Sequence, residues 1–168
     1  MNDDAGLAAC VRTLEYRLPV AALAKWADRR LSHSQLEGGG RRYSFLYSGS
    51  TCANGGVPYT ADLQADIVPT DGQAVVARGA VIIPPEHRAA VATMCGSRGR
   101  AAAFLDGLAA SPAFCGQSLE AILAASLPQN PAGCFCTPPM VQHKWWLALS
   151  TIHYALARET GRLPAAAV

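Results

Sequence analysis

Apolar and polar residues alternate along the first half of the chain and recur at helical spacing along the second. From Val11 to Leu18 the order Val-Arg-Thr-Leu-Glu-Tyr-Arg-Leu has period two, which predicts a half-buried strand. Pro19 then opens a helix, a position where its missing N–H costs nothing. Val20, Leu23, Ala24, Ala27 and Leu31 give that helix one apolar face, and it is expected to stop near His33. Gly38-Gly39-Gly40 reads as a flexible connector. Tyr43 to Tyr47 is aromatic and strand-like. Ala61 to Val68 alternates again, Asp71-Gly72 is a hairpin signal, and Ala74 to Ile83 is a further strand with Gly79 as a candidate bulge. Together with the first strand these make a small, mainly antiparallel sheet.

The pattern changes at Pro84-Pro85. Helices are predicted to about Met94, over about 99–110, over about 118–126 and over about 139–160, the last stopping at Gly161. On that last helix Val141, Trp145, Ala148, Leu149, Ile152 and Leu156 form an apolar face. His143, Trp146, Ser150 and His153 form a separate stripe, which reads as a partly buried helix side; an exposed Trp146 would mark an interface and a buried one would be packing. The expected fold class is α+β, a small mainly antiparallel sheet in the N-terminal half packed with a C-terminal helical half. Nothing resembles a long linker, so residues 1–168 read as a single domain. Its sheet-rich part spans 10–84 with one helix, and its helical part spans 85–168 and carries four of the cysteines.

Composition narrows the possibilities. At 168 residues the chain is long enough to bury a real core. It is 51% hydrophobic and only 15% charged, against roughly a quarter charged in an ordinary soluble domain. Coverage of the surface by a larger partner subunit or by self-association accounts for this; dilution by alanine accounts for it equally well. A net charge of +2 is too small to argue for nucleic acid. The acidic start Met1-Asn2-Asp3-Asp4 is not that of a secretory signal. No stretch approaches the roughly 20 apolar residues of a membrane span. The expectation is a cytoplasmic location.

In a reducing compartment the six cysteines take on a different meaning. There a set of thiols points to metal binding or redox chemistry rather than to disulfides. Five of them, Cys52, Cys95, Cys115, Cys134 and Cys136, stand in turn-rich stretches. Cys95, Cys115 and Cys136 each precede a predicted helix, whose first turn carries free N–H groups and partial positive charge that favour a thiolate. Glycines at 55, 56, 96 and 116 remove side chains that would crowd a bulky group. Cys134-x-Cys136 in a turn lets two sulfurs face one ion. Four thiolates suit an iron–sulfur cluster, although neither ferredoxin-type runs nor the C-x-x-C knuckle of zinc sites is present.

The leading expectation is therefore an iron–sulfur protein acting in electron transfer or as a small or accessory subunit of a larger redox enzyme. His143 would be a further ligand or a hydrogen-bond donor to the cluster. Zinc held by the same residues in an interaction module is the second reading. A thiol enzyme using a pair such as Cys115 and Cys134 is the third, so whether the chain is catalytic stays open. Free cysteine is also among the most buried residue types, and small buried thiols in an alanine-rich fold are the plain structural reading. Cys10 lacks a turn context and stands outside the set. Asp106, Glu86 and Glu120 read as surface charges.

Overall fold

In the computed structural model, which describes residues 4–50, 58–94, 114–125 and 138–163, period-two burial marks the sheet most clearly. From Pro58 to Ile67 the inward-facing Tyr59, Ala61, Leu63, Ala65 and Ile67 are all buried, as expected for side chains that alternate across a strand. The element order is α1 (Asp4–Ala9), α2 (Val20–Arg29), β1 (Leu31–Gln35), β2 (Arg41–Ser50), β3 (Pro58–Thr70), β4 (Gln73–Ile82), α3 (Pro85–Met94), α4 (Leu119–Ala124) and α5 (Pro138–Glu159). The four strands form one antiparallel meander in the order β1-β2-β3-β4. The chain is α+β, with the sheet in its N-terminal half and a C-terminal helix packed against it.

Two expectations at the start of the sheet are corrected. Val11 to Leu18 is not a strand. Its alternation is real, since Val11 is buried and Leu14, Tyr16 and Leu18 are half-buried while Arg12, Thr13, Glu15 and Arg17 are exposed. The segment finds side-chain partners instead of a neighbouring strand. The Arg12 amide donates to Glu120 (2.8 Å), and the Arg162 guanidinium donates to the carbonyls of Ala9 and Val11 (2.9 and 2.8 Å). The second correction is that α2 ends at Arg29, and the residues expected to continue it form the edge strand β1. Leu31-Ser-His-Ser-Gln carries one apolar residue and is otherwise exposed, so no periodicity announces it. Gly38-Gly39-Gly40 is the turn joining β1 to β2.

Asp71 and Gly72 both have positive φ, 50° and 74°, the signature of the two-residue turns that join β3 to β4. The register slips where Asp66 pairs with Arg78 but Ile67 pairs with Val76. The extra residue is Ala77, so the bulge lies there and not at Gly79. Gly79 instead makes room for a ring. A β-carbon on it would lie 3.2 Å from Trp145, and its absence lets the indole lie on β4.

The inner face of the sheet meets α5 through Trp145, Ala148, Leu149, Ile152 and Leu156, with Leu7, Val11, Phe114, Leu119, Ile122 and Leu123 closing the core. Near its C-terminus, Glu159 takes two hydrogen bonds from the buried Arg41 (2.7 and 2.9 Å), the first residue of β2. Near its N-terminus, the Lys144 ammonium lies 5.0 Å from the ring centre of Tyr47, late in β2. The helix therefore runs opposite to β2. It stops at Gly161 (φ +68°), where the Arg162 amide reaches back to the Ala157 carbonyl at 2.8 Å.

Candidate functional site

Of the six residues expected to hold a cofactor, Cys115 and His143 are described; Cys52, Cys95, Cys134 and Cys136 lie outside the described residues, as does the predicted 99–110 helix. Cys115 sits on a turn stitched to β4. The Gly116 amide donates to the Val76 carbonyl (2.7 Å), and the Val76 amide donates to the Gln117 carbonyl (2.9 Å). The thiol is half-buried and forms no disulfide. Among the described residues, a β-carbon on Gly116 would meet nothing within 4 Å. The expected order of cysteine, then helix, holds, but the helix cap is taken by another group: the Ser118 hydroxyl accepts the Ala121 amide at 3.1 Å.

His143 is buried on α5. Trp146, Ser150 and His153, the rest of its stripe, are buried as well. That decides Trp146 as packing.

The part of the sheet nearest the Pro138 end of α5 gathers polar aromatic groups. Tyr47 and Tyr59 face one another with ring centres 6.2 Å apart. Gly49 lies beneath them, and a β-carbon there would come within 2.9 Å of the Tyr47 hydroxyl and 3.1 Å of the Tyr59 hydroxyl. Burial pushes the Tyr47 phenol above its ordinary pKa, opposed by its hydrogen bond with Tyr59 and by Arg30. Burial lowers the pKa of Lys144. Beyond the last β4 pairing, Asp62 with Ile82, the Thr60 amide is freed from the ladder and donates to His87 Nδ1 at 3.1 Å. The start of α3 is thereby fixed to this same end of the sheet.

A second polar group has no sequence signal. Tyr16, His153 and Glu120 meet in the interior although they are far apart in sequence. Burial, with Tyr154 and Glu120 close by, holds the Tyr16 phenol well above its usual range. The hydroxyl and His153 Nδ1 share a hydrogen bond at 2.8 Å. The other ring nitrogen, Nε2, faces Glu120 Oε1 at 3.4 Å. At that length and alignment the contact is electrostatic rather than a good hydrogen bond, and Nε2 makes none. Glu120 is thus half-buried and partnered, not the free surface charge its sequence context suggests. No spacing rule finds a set at positions 16, 120 and 153.

This group makes a pH-dependent contribution to stability. Burial alone raises the Glu120 pKa, but His153 and the Arg12 amide outweigh it, so the carboxyl lies below its ordinary value of 4.5. A depressed folded-state pKa means the stabilisation is complete above pH 4.5 and disappears as the pH falls through the lower folded value. Glu120→Gln should therefore lower the urea midpoint near neutrality, with the gap from wild type closing as the solution is acidified below 4.5. A gap constant across that range would show that Glu120 carries no such linkage.

Among the described residues no three His, Cys, Asp or Glu side chains converge as a metal site requires. Among them also, no helix is long and apolar enough to cross a membrane. The outer face of the sheet exposes Leu46 (47%) and Ile82 (41%), which flank Asp62 in one cross-strand row. No family model, no curated protein and no solved structure matches this chain.

Proposed function

We propose that the chain binds one iron–sulfur cluster through four of Cys52, Cys95, Cys115, Cys134 and Cys136. It acts in electron transfer, or as a small or accessory subunit of a larger cytoplasmic redox enzyme. When bound, the cluster supplies one-electron chemistry. The observation that carries this reading is the direction of α5. Because it runs opposite to β2, its Pro138 end and the Ser50 end of β2 share one end of the sheet. Cys52 follows Ser50 by two residues, and Cys136 precedes Pro138 by two.

Cys115 supports the same reading. Phe114 beside it packs on Trp145 with ring centres 5.9 Å apart, so its turn borders the N-terminal half of α5. Its thiol is half-buried rather than sealed in the core, which suits a ligand role. Leu46 and Ile82 offer apolar surface for a partner subunit to cover.

The test is anaerobic purification followed by an absorption spectrum with iron, zinc and labile-sulfide analysis on one sample. The expected result is a brown protein with matching iron and sulfide. Four of the five single cysteine-to-serine variants should then lose most of their iron. Cys10→Ser should keep it, because that thiol donates to the Gly6 carbonyl at 3.0 Å and packs on the core. A colourless, iron-free sample from a strictly anaerobic preparation overturns the proposal. Bound zinc would then favour a structural metal, and one fast-alkylating thiol without metal would favour thiol chemistry.

A further inference from the structure

We infer that the open edge of the sheet, strand β1, is a self-association site at which a second copy of this chain pairs antiparallel about His33. The site is independent of any cofactor. The opposite edge is already occupied: Val76 of β4 is bonded to Gly116 and Gln117, and Val75 bridges Ser118. β1 pairs with β2 alone. The ladder shows which backbone groups it leaves open. The Leu46 amide donates to the Arg30 carbonyl (2.9 Å), and the Leu36 amide donates to the Gly40 carbonyl (3.1 Å). Successive residues of an antiparallel strand turn both backbone groups to opposite sides. Ser32 and Ser34, in step with Arg30 and Leu36, therefore bond to β2. Leu31, His33 and Gln35 turn their N–H and C=O groups outward, where no backbone partner meets them among the described residues. Natural edges are commonly blunted by lysine, proline or a bulge. Leu31-Ser-His-Ser-Gln has no charge and no proline, its register with β2 is unbroken, and its last four residues are exposed.

The strand fits its own reversed copy. With His33 opposite His33 of the second chain, Ser32 stands opposite Ser34 and Leu31 opposite Gln35. Every outward residue then falls at a hydrogen-bonded pair and exchanges both of its backbone groups. Serine opposite serine is a favourable cross-strand pair. Charge selects the direction. Arg29 and Arg30 precede the strand, and Glu37 follows it. Arg29 and Glu37 are exposed, and neither forms an ion pair among the described residues. An antiparallel copy brings its Glu37 to the arginine end of this strand and receives the reverse. A parallel copy would set like charges side by side. The contact is closed by a two-fold axis, so it stops at a dimer. The strand is five residues long, against roughly 20–30 residues a side in a standard interface. The dimer is therefore weak and forms only as concentration rises.

The test is sedimentation velocity of the full-length protein over a range of concentrations, with a reductant present so that cysteines cannot cross-link chains. Wild type should pass from monomer to dimer as concentration rises. His33→Pro removes an outward N–H and no bond to β2, a place where an edge strand tolerates proline. It should weaken dimerisation by about tenfold or more, since the symmetric pair loses a hydrogen bond twice, with far-UV circular dichroism unchanged. Glu37→Arg should weaken it several-fold, and adding Arg29→Glu should restore most of the loss by exchanging the two signs. Amide exchange is a second readout: the amides of Leu31, His33 and Gln35 should slow as concentration rises, while those of Ser32 and Ser34 are protected throughout. A monomer at every concentration up to the solubility limit overturns the inference and leaves the cluster proposal standing. A dimer that survives in both single variants lies on another face and also overturns it. Should His33→Pro unfold, Glu37→Arg, its charge-exchanged double variant and the wild-type amide pattern decide the matter.

Discussion

Trp145→Ala is expected to cost about 3–5 kcal/mol of unfolding free energy, the range for removing a large aromatic ring from a packed core. Trp145 is 1% exposed and touches both layers of the structure. Its six-membered ring lies against Gly79 on β4, and it stacks obliquely on Phe114 with ring centres 5.9 Å apart. The truncation removes the group that joins α5, the Cys115 turn and β4 at once. Those three elements are separately anchored by backbone hydrogen bonds, so the cavity closes only in part. Trp145→Phe should cost much less than Trp145→Ala, because most of the apolar contact survives. The indole Nε1–H is buried with no acceptor among the described residues, so phenylalanine also removes an unpartnered donor. Urea denaturation at constant slope measures both. A loss below about 1 kcal/mol for the alanine variant would mean that the ring is not part of the core.

Much of this architecture is legible in the sequence because local signals and the tertiary fold agree. The Asp71-Gly72 turn, the alternation of β3, the Pro85 helix start and the apolar face of α5 each specify one structure with little competition. The misses share a physical cause. Alternation from Val11 to Leu18 reports that every second side chain is buried, and an extended segment lying across helices satisfies that as well as a strand does. Whether a strand neighbour exists is a fact about distant residues. In β1 the reverse holds: an edge strand with four exposed residues has no apolar period to read. Leu31 continues the spacing of the preceding helix, yet it pairs with Phe45 in the sheet. Gly79 suggests a bulge because glycine weakens a strand. The reason it is glycine lies sixty-six positions on, in the ring of Trp145.

Of the candidate site, the placement of Cys115 is legible: it is expected on a turn before a helix, and it lies on one. The strand that holds that turn cannot be read locally, because Val76 stands 40 residues before Gly116 and 41 before Gln117. His143 reads the same in sequence whether exposed or buried, since it belongs to a mixed stripe between two apolar positions. Lys144 interrupts an apolar run and carries no other local signal. Only the antiparallel course of α5 along β2 brings it over Tyr47.

The same hairpin geometry makes Gly40 the most demanding small residue in the sheet. Its φ is +94°, which L side chains rarely adopt. A β-carbon there would come within 2.5 Å of the Ile67 carbonyl oxygen and 2.9 Å of Val68 Cγ1. The oxygen belongs to β3, and Ile67 pairs with Arg41, the next residue after the glycine. Relief therefore requires moving backbone at the start of the β2–β3 ladder. That movement disturbs Arg41, which ties the sheet to α5 through Glu159. Gly40→Ala should combine backbone strain of about 1–3 kcal/mol with an overpacking cost of about 1–3 kcal/mol. Gly39→Ala is the matched control. Its φ is +110° and its β-carbon would meet nothing within 4 Å, so only the strain remains. Urea midpoints of the two variants should differ by the steric contribution alone. Equal midpoints would mean that the approach of Gly40 to Ile67 costs nothing, and that the hairpin's glycines serve conformational freedom only.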